Sequence, residues 1–474
     1  MPWPDTDVPL VVDLDGTFIN TDLLYEGIIL LMRKNPLYIF SCILWLVKGK
    51  VYLKNKLFSL VHIDPESLPY NRELIHFLQN EHSKGRKLIL ATASLYPIAC
   101  KISKVFPIFD KIYGTESINL KGKNKLEFLI QQHGKSKFDY IGNSNSDVII
   151  FASSRYSYLV NAKKSLEKKT KKVSDLRHVW NSGNGLLRNY LLAIRAYQWI
   201  KNLLIFVPLV TSHSFDGIHF INAFCGFVAF SLVASAGYII NDMLDLESDR
   251  VHLRKRYRPL ASGNLSIPAG AILAVILFGG GILVGALLNF QFLIVLLFYF
   301  MTSLSYSVYL KKIALYDVFV LAFLYSIRVV AGAISIGVSL SSWLIAFSTF
   351  LFLSLAFVKR YSELIQVKKA SGLINKGREY SIEDLGLLQI MGTVSGFLSV
   401  IVFSLYIDSS EVKLLYANPK LLGIISFLFL FWISRMWLVT TRGRMTDDPI
   451  IFALKDKSSY FIFLITGVIF WFAM

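Results

Sequence analysis

The chain has 474 residues, of which 54% are hydrophobic, with a mean hydropathy of +0.51 and a formal net charge of +18. That apolarity excludes an ordinary soluble enzyme and points to a membrane protein, while the positive charge suits anionic headgroups or phosphate-rich substrates. No RNA- or DNA-binding motif accompanies the charge, so no nucleic acid partner is expected.

The apolarity is unevenly spread. Residues 1 to about 180 alternate short apolar runs with charged loops, whereas long hydrophobic stretches dominate after Leu186. The expected organisation is a multi-domain chain: an α/β domain at 1–160, a Lys/Ser-rich linker or surface helix within 161–186, and an all-α membrane bundle at 187–474. Cys42, Cys100 and Cys225 lack CxxC or metal-ligand spacing, which predicts free thiols on a reducing side. Residues 1–10 lack the basic start and apolar core of a signal peptide, so the first domain is expected in the cytoplasm.

In chain order, Pro9 to Thr17 reads as a buried strand of branched residues running into the acidic turn Asp13-Leu14-Asp15-Gly16-Thr17. An insertion at about 18–72 follows. Its apolar Leu37–Val47 stretch is too short to span a bilayer, so it is either a buried helix or one resting on the membrane or on the second domain. Leu88 to Thr92 is a strand ending in a hydroxyl, Lys123 and Lys125 precede a helix at 126–132, and Phe138 to Gly142 is a strand leading to a turn that carries Asn143 and Asp147. Strands alternating with helices predict a parallel sheet with its site at the strands' carboxyl ends.

The D-x-D-G-T motif and the elements that follow it in order resemble the haloacid dehalogenase (HAD) superfamily of phosphotransferases, with the insertion similar to its helical cap. The resemblance implies a Rossmannoid sheet and a Mg²⁺-dependent phosphatase in which Asp13 attacks phosphorus and Asp15 is general acid and then base. It further implies that Thr92 (or Ser94) and Lys125 (or Lys123) hold the phosphoryl oxygens, and that Asp13, Asp15, Asn143 and Asp147 form the metal site. The family usually carries Asp where Asn143 stands; an amide keeps an oxygen ligand but loses a charge.

Nine membrane spans are predicted, near 190–210, 219–241, 267–286, 288–308, 314–335, 341–358, 388–406, 418–437 and 458–474. Connections after the second, fourth, sixth and eighth carry Arg250 to Arg258, Lys311 and Lys312, Lys359 to Arg378, and Arg442 to Lys457; the others are nearly free of Lys and Arg. The positive-inside rule makes the basic set cytoplasmic, which agrees with a cytoplasmic first domain in an inner (cytoplasmic) membrane protein.

The second span ends in Asn241-Asp242-Met243-Leu244-Asp245, followed by Asp249. On a helix the three carboxylates share a face with Asn241 beside Asp245, and their mutual repulsion calls for a cation. Mg²⁺ carried in by a polyphosphate suits such oxygen-only ligands. Further on, Asp317 and Arg328 lie along one helical face as a charged pair lining a cavity, or as residues pinning helices together. Lys359, Arg360 and Glu363 end the sixth span and are expected at the interface or in the site.

Nine spans with N-D-x-x-D-x-x-x-D closing the second resemble the UbiA superfamily of intramembrane prenyltransferases. Classical members carry a second D-x-x-x-D motif, where this chain offers only Asp317. The segments Arg195 to Asn202, Lys255 to Gly263, and Tyr306/Lys311/Asp317 look more like the decaprenyl-phosphate phosphoribosyltransferase branch. That resemblance implies transfer of 5-phosphoribose from phosphoribosyl pyrophosphate to a polyprenyl phosphate. Asp242, Asp245 and Asp249 would hold Mg²⁺, and Lys255, Arg256 and Arg258 would bind phosphates. Gln198, Lys201, Asn241, Tyr306, Lys311, Asp317 and Arg328 would contact the ribose, its 5-phosphate or the lipid phosphate.

Joined in one chain, the two domains predict a bifunctional enzyme with one Mg²⁺ in each. It would make polyprenyl-phosphoryl-5-phosphoribose and remove the 5-phosphate, giving a sugar donor for a cell-envelope glycan. The competing readings are an aromatic prenyltransferase using a prenyl diphosphate, a non-catalytic first domain, and a transporter. The last is disfavoured because the charged motifs gather on one side of the membrane. The sequence leaves monomer and homo-oligomer both open.

Overall fold

The structure, a computed structural model, describes residues 7–181, 185–369, 379–445 and 448–474. Residues 182–184 of the expected linker, 370–378 of the connection Lys359 to Arg378 and 446–447 of that from Arg442 to Lys457 lie outside the described residues, as do 1–6. The chain forms two compact units, one of residues 1–194 with 238–274 and the other of 195–237 with 275–474.

In the first unit, six parallel strands, β1 (Leu10–Val12), β2 (Leu88–Leu95), β3 (Lys111–Thr115), β4 (Asp139–Gly142), β5 (Tyr156–Val160) and β6 (Asp175–Trp180), pair in the order β3-β2-β1-β4-β5-β6. Central strands buried on both faces must be apolar throughout, and Leu10, Val11 and Val12 are fully buried. Side chains alternate across the sheet, so Leu10, Val12, Leu88 and Leu90 pack in one cluster and Val11, Ile89 and Ala91 in the other. Chain order reverses direction between β1 and β4, which opens a crevice at the carboxyl ends of those strands. At their opposite ends, the fully buried Asp139 is held by Arg86 and Arg155.

Between β1 and the helix Arg72–Ser83, the insertion forms three helices, α1 (Leu23–Lys34), α2 (Tyr38–Val47) and α3 (Lys50–Leu60). Asp22 caps α1 by accepting from the Leu24 amide, and the left-handed Gly49 turns α2 into α3.

Of the two readings of the Lys/Ser-rich stretch, a linker or a surface helix, the structure has the helix, and it adds a strand that neither reading expected. Lys164–Val173 is a helix and Asp175–Trp180 is the sixth strand, paired in parallel with β5. Its lysine-rich composition hides two inward positions one turn apart, Leu166 and Thr170, which suffice to dock the helix.

Seven helices among the described residues are long and apolar enough to cross a membrane: Gly217–Leu244, Ile267–Leu288, Phe290–Val308, Tyr316–Ile336, Ser342–Lys369, Ile382–Ile407 and Pro419–Thr441. They match seven of the expected spans. The expected last span is the shorter apolar helix Lys457–Ala473. The expected first span is broken into a helix Leu186–Ile194, a 3₁₀ stretch Ala196–Phe206 and a short helix Val207–Thr211, with Arg195 left-handed at the break. Within the second unit, Gly332 lets the 3₁₀ stretch pack close, because a Cβ there would stand 2.2 Å from the carbonyl oxygen of Ile205.

Candidate active sites

The first site gathers at the β1/β4 crevice. Asp13 leaves the end of β1, and Lys125 donates to its Oδ1 at 2.6 Å, to the Ala91 carbonyl at 3.0 Å and to the Tyr140 hydroxyl at 3.2 Å. Lys123, one turn-step away, is exposed and pairs loosely with Glu127, so Lys125 is the lysine placed in the crevice. Asp15 accepts from the Leu23 amide (2.9 Å), the Ser94 hydroxyl (2.7 Å) and the Thr92 hydroxyl (3.3 Å). Both hydroxyl candidates therefore face one carboxylate. Asp147 accepts from the Ser144 hydroxyl (2.7 Å) and amide (2.9 Å), and its other oxygen faces Tyr140 (3.4 Å).

Burial pushes Asp13 up to about 6, against the lowering effect of Lys125 and with a further rise from the charge of Asp147. Burial also pushes Asp15 up to about 6, helped by the charge of Asp22. One carboxylate faces an ammonium and the other faces hydroxyls, which separates a nucleophile's surroundings from those of a proton donor.

Asn143 packs against Gly16, whose left-handed backbone (φ 76°) brings the amide within 2.0 Å of where a Cβ would stand. Lys54, from α3 of the insertion, donates to the Ala93 carbonyl (2.5 Å) and to Asn119 (3.1 Å), and Asp15 and Asp22 act on it electrostatically. Its arrival from a distant helix left no sequence signal.

The second carboxylate cluster departs from the expected single helical face. The membrane-length helix ends at Leu244, and Asp245 becomes the first residue of a turn into the short helix Leu246–Val251. Asp242 and Asp249 still converge, because one nitrogen of Arg258 donates to both, at 3.0 and 2.5 Å. The cation that their repulsion demands is thus supplied by a guanidinium. Lys255 and Arg256 are exposed, and Arg256 donates to Tyr257 at 2.8 Å, so these two are not gathered onto the carboxylates.

Among the described residues no three His, Cys, Asp or Glu side chains gather as a ready-made metal cage. The donor chemistry nevertheless suits Mg²⁺ in both places, since Asp242 and Asp249 offer oxygens to one shared cation, and Asp13 and Asp147 act on each other. The carboxylate of Asp15 is already occupied by three donors.

In the second unit, the other expected residues fall into three hydrogen-bonded groups, and two of these, around Lys201 and Arg328, meet at the Tyr325 ring, each cation 5.7 Å from its centre. Lys201 pairs with Asp448, lies 5.7 Å from the Tyr325 ring, and borders an apolar cavity of about 810 Å³ also lined by Leu203, Phe347, Phe429 and Trp432. Gln198 keeps a buried side-chain oxygen with no hydrogen-bond partner among the described residues.

Arg328 donates to Asn202 (2.8 Å) and Tyr299 (3.0 Å) and stacks 4.9 Å from the Tyr299 ring, and Asn202 in turn donates to Ser231 (2.9 Å). Asp317, fully buried, is held by Arg360 and by the Tyr380 hydroxyl (2.6 Å), while Arg360 also reaches Tyr306 (2.8 Å) and Glu363. Asp317 and Arg328 thus each enter a cross-helix network, as expected of residues that pin helices together and not of a pair lining one cavity, and Arg360 is a buried hub instead of an interfacial residue. Asn241, Tyr306 and Lys311 are half-buried. Asp448 and Tyr380 went unrecognised, Asn202 entered only as the end of the segment Arg195 to Asn202, and Arg360 was expected without a partner; for Asp448 the Asp448-Pro449 helix start was the one legible trace.

These arrangements sit in a chain with recognisable relatives. It is 35% identical over 462 residues, 97% of this chain and 89% of the relative, to "Uncharacterized protein y4nM" of Sinorhizobium fredii. It is 30% identical over 291 residues, 59% of this chain and 90% of the relative, to a decaprenyl-phosphate phosphoribosyltransferase of Mycolicibacterium smegmatis. A solved UbiA homolog from Archaeoglobus fulgidus, bound to GPP and Mg²⁺, aligns with 60% of this chain and 98% of its own at 16% identity and a TM-score of 0.45. Residues 203–455, more than half of the length, match the UbiA prenyltransferase family, and the chain belongs to that family of membrane transferases.

Proposed function

We propose that the membrane half transfers 5-phosphoribose from phosphoribosyl pyrophosphate to a polyprenyl phosphate, and that the first domain is a HAD-type phosphatase that then removes the 5-phosphate. The observation that carries the first step is the likeness to a decaprenyl-phosphate phosphoribosyltransferase over 90% of that protein's length. The second step is supported by the Asp13–Lys125 pair beside an Asp15 that faces Ser94 and Thr92. The product, polyprenyl-phosphoryl-ribose, is a lipid-linked donor for a cell-envelope glycan, and both sites face the cytoplasm at the inner membrane.

In the transfer, an oxygen of the lipid phosphate attacks C1 of the ribose while the C1–O bond to pyrophosphate breaks, its electron pair leaving with pyrophosphate. The nucleophile is already anionic, so no general base is needed. In the first unit Arg258 binds the departing phosphates by charge-assisted hydrogen bonds; in the second, Lys201 meets an anionic substrate beside the apolar cavity that takes the lipid chain, and the unpartnered oxygen of Gln198 accepts from a ribose hydroxyl. Asp242, Asp245 and Asp249 would hold Mg²⁺, which when bound neutralises charge on the pyrophosphate.

In the hydrolysis, an Asp13 oxygen attacks phosphorus, the ester oxygen leaves, and Asp15 gives it a proton; Asp15 then takes a proton from water, which attacks the aspartyl phosphate and frees inorganic phosphate. Lys125 holds the phosphoryl oxygens. Asp13 and Asp147, with the oxygen of Asn143, would hold Mg²⁺ there, which screens the negative charge of the phosphate.

An aromatic prenyltransferase of the classical kind needs a second carboxylate cluster. Asp317, buried under Arg360 and Tyr380, has no carboxylate companion in the D-x-x-x-D spacing. The test is purified protein incubated with Mg²⁺, phosphoribosyl pyrophosphate and a polyprenyl phosphate. Release of pyrophosphate, with lipid-linked ribose from the wild type and lipid-linked ribose 5-phosphate from Asp13→Asn, is expected. Pyrophosphate released only with a prenyl diphosphate and an aromatic acceptor would overturn the transfer.

A further inference from the structure

Helix α2 carries two apolar stripes where a water-facing helix carries one. Tyr38, Cys42 and Trp45, spaced four and three apart, pack with Leu53 and Leu57 of α3 and Leu31 of α1. The opposite stripe, Phe40, Ile43, Leu44 and Val47, is 65%, 55%, 66% and 83% exposed. Isolated exposed apolar residues are ordinary, but a contiguous set on one helix marks a surface that something covers.

Three observations say what covers it. Lys48, Lys50 and Lys56 flank the apolar stripe, all exposed, as basic residues flank segments that lie on anionic lipid. At ten residues, about 15 Å, the helix is too short to cross a bilayer yet long enough to lie in its surface. Third, α1, which leads into α2, is fastened to the segment that directly follows the membrane-length helix Gly217–Leu244. Glu26 pairs with Arg250 at 2.5 Å, both side chains nearly fully buried, and Arg33 pairs with Glu247 at 3.3 Å. Glu247 and Arg250 lie three and six residues beyond Leu244, so the insertion is tied down where a spanning helix leaves the bilayer.

We propose that α2 lies in the bilayer interface, with Phe40, Ile43, Leu44 and Val47 among the acyl chains, and that the insertion presents lipid-borne phosphomonoesters to the Asp13 site. The helix adjoining it, α3, delivers Lys54 to that same site, so one hairpin touches both the lipid and the reacting phosphate. The placement rests on the membrane character of the chain, and its consequence for hydrolysis rests on the phosphatase reading above.

The full chain in nanodiscs containing a clickable phospholipid tests the placement, with a benzophenone side chain at position 40 or 44 and, as control, at the exposed Glu73. Irradiation is expected to give lipid adducts from 40 and 44 and few from 73. Equal yields at all three positions, or adducts to a second copy of the chain instead of lipid, would overturn it. The double variant Phe40→Glu/Leu44→Glu is expected to hydrolyse a lipid-borne phosphomonoester about tenfold more slowly or worse. Its hydrolysis of a soluble one such as ribose 5-phosphate should be unchanged. Equal loss on both substrates would overturn the delivery role. Lipid adducts in a protein that hydrolyses neither substrate would uphold the placement and remove the phosphatase reading.

Discussion

The ammonium of Lys125 lies 2.6 Å from the carboxylate of Asp13, with only 3% and 12% of the two side chains exposed. Hydrolysis as proposed needs Asp13 ionised and Asp15 protonated at the same moment, and burial raises both carboxyls to about 6. The rate is the product of two opposing titrations, so kcat/KM on a soluble phosphomonoester should be bell-shaped with its summit near pH 6. Lys125→Met removes the largest effect holding Asp13 down, so its acid limb should move to higher pH. A profile for this variant that keeps the wild-type acid limb would show that the limb does not report Asp13.

Asp15 also carries a stability consequence. Its folded value, about 6, lies above the ordinary 3.8, so the folded state holds the proton more tightly than the unfolded chain. Stability from this group is intact below about pH 4, declines as pH rises through the window up to 6, and is fully lost above it. Asp15→Asn removes the ionisation with little change of shape. It should stabilise the first unit at pH 7.5 by about 3 kcal/mol and leave it nearly unchanged at pH 4. Calorimetry at the two pH values checks this, and a gain of equal size at both would contradict the cause given.

Arg258 makes a third case, in which removing a cation exposes two anions. Asp242 and Asp249 side chains are 5% and 3% exposed, and both rely on the same guanidinium nitrogen. Arg258→Met should cost about 3 kcal/mol of stability and abolish pyrophosphate release, with Arg258→Lys recovering part of the stability. Because a divalent ion can take up the freed oxygens, millimolar Mg²⁺ should raise the melting temperature of Arg258→Met more than that of the wild type. An equal response in both would separate these carboxylates from any metal.

Much of this was readable in advance where short-range chemistry decides. The apolar runs Leu10–Val12 and Leu88 to Thr92 read as buried strands, and their parallel pairing, Val12 beside Leu90, brings Asp15 from the turn after the first strand to Thr92, which lies within the second strand as it runs on to Leu95. Leu166 and Thr170 were masked by the lysines around them, and the strand Asp175–Trp180 alternates too weakly to announce itself. The break at Arg195 has no glycine or proline to mark it. Among intramembrane charges, periodicity told which residues share a helix face and nothing about which helix stands opposite. Asp317 and Arg328 therefore read as two charges lining one cavity from the same helix face, when packing gives Asp317 the guanidinium of Arg360 on another helix.

The pairing of Lys201 with Asp448, 247 positions apart, is the clearest instance of such long-range choice, and it can be tested by breaking it from either side. The two side chains are 9% and 13% exposed, so removing Lys201 leaves buried Asp448 with only the more distant charge of Lys359, and removing Asp448 leaves Lys201 and Lys359 facing each other, at a cost of about 3 kcal/mol. Asp448→Ala loses in addition the oxygen that accepts from the Ile450 and Ile451 amides (3.1 and 3.3 Å), a helix cap worth about 1 kcal/mol. Asp448→Asn keeps that cap, so the difference between the two variants isolates it. Lys201→Met combined with Asp448→Asn removes both charges and should melt closer to the wild type than either single variant, while transfer stays lost because Lys201 no longer meets an anionic substrate. Strict additivity of the two single losses would mean the pair does not interact. Full transfer activity in the double variant would take Lys201 out of the substrate site.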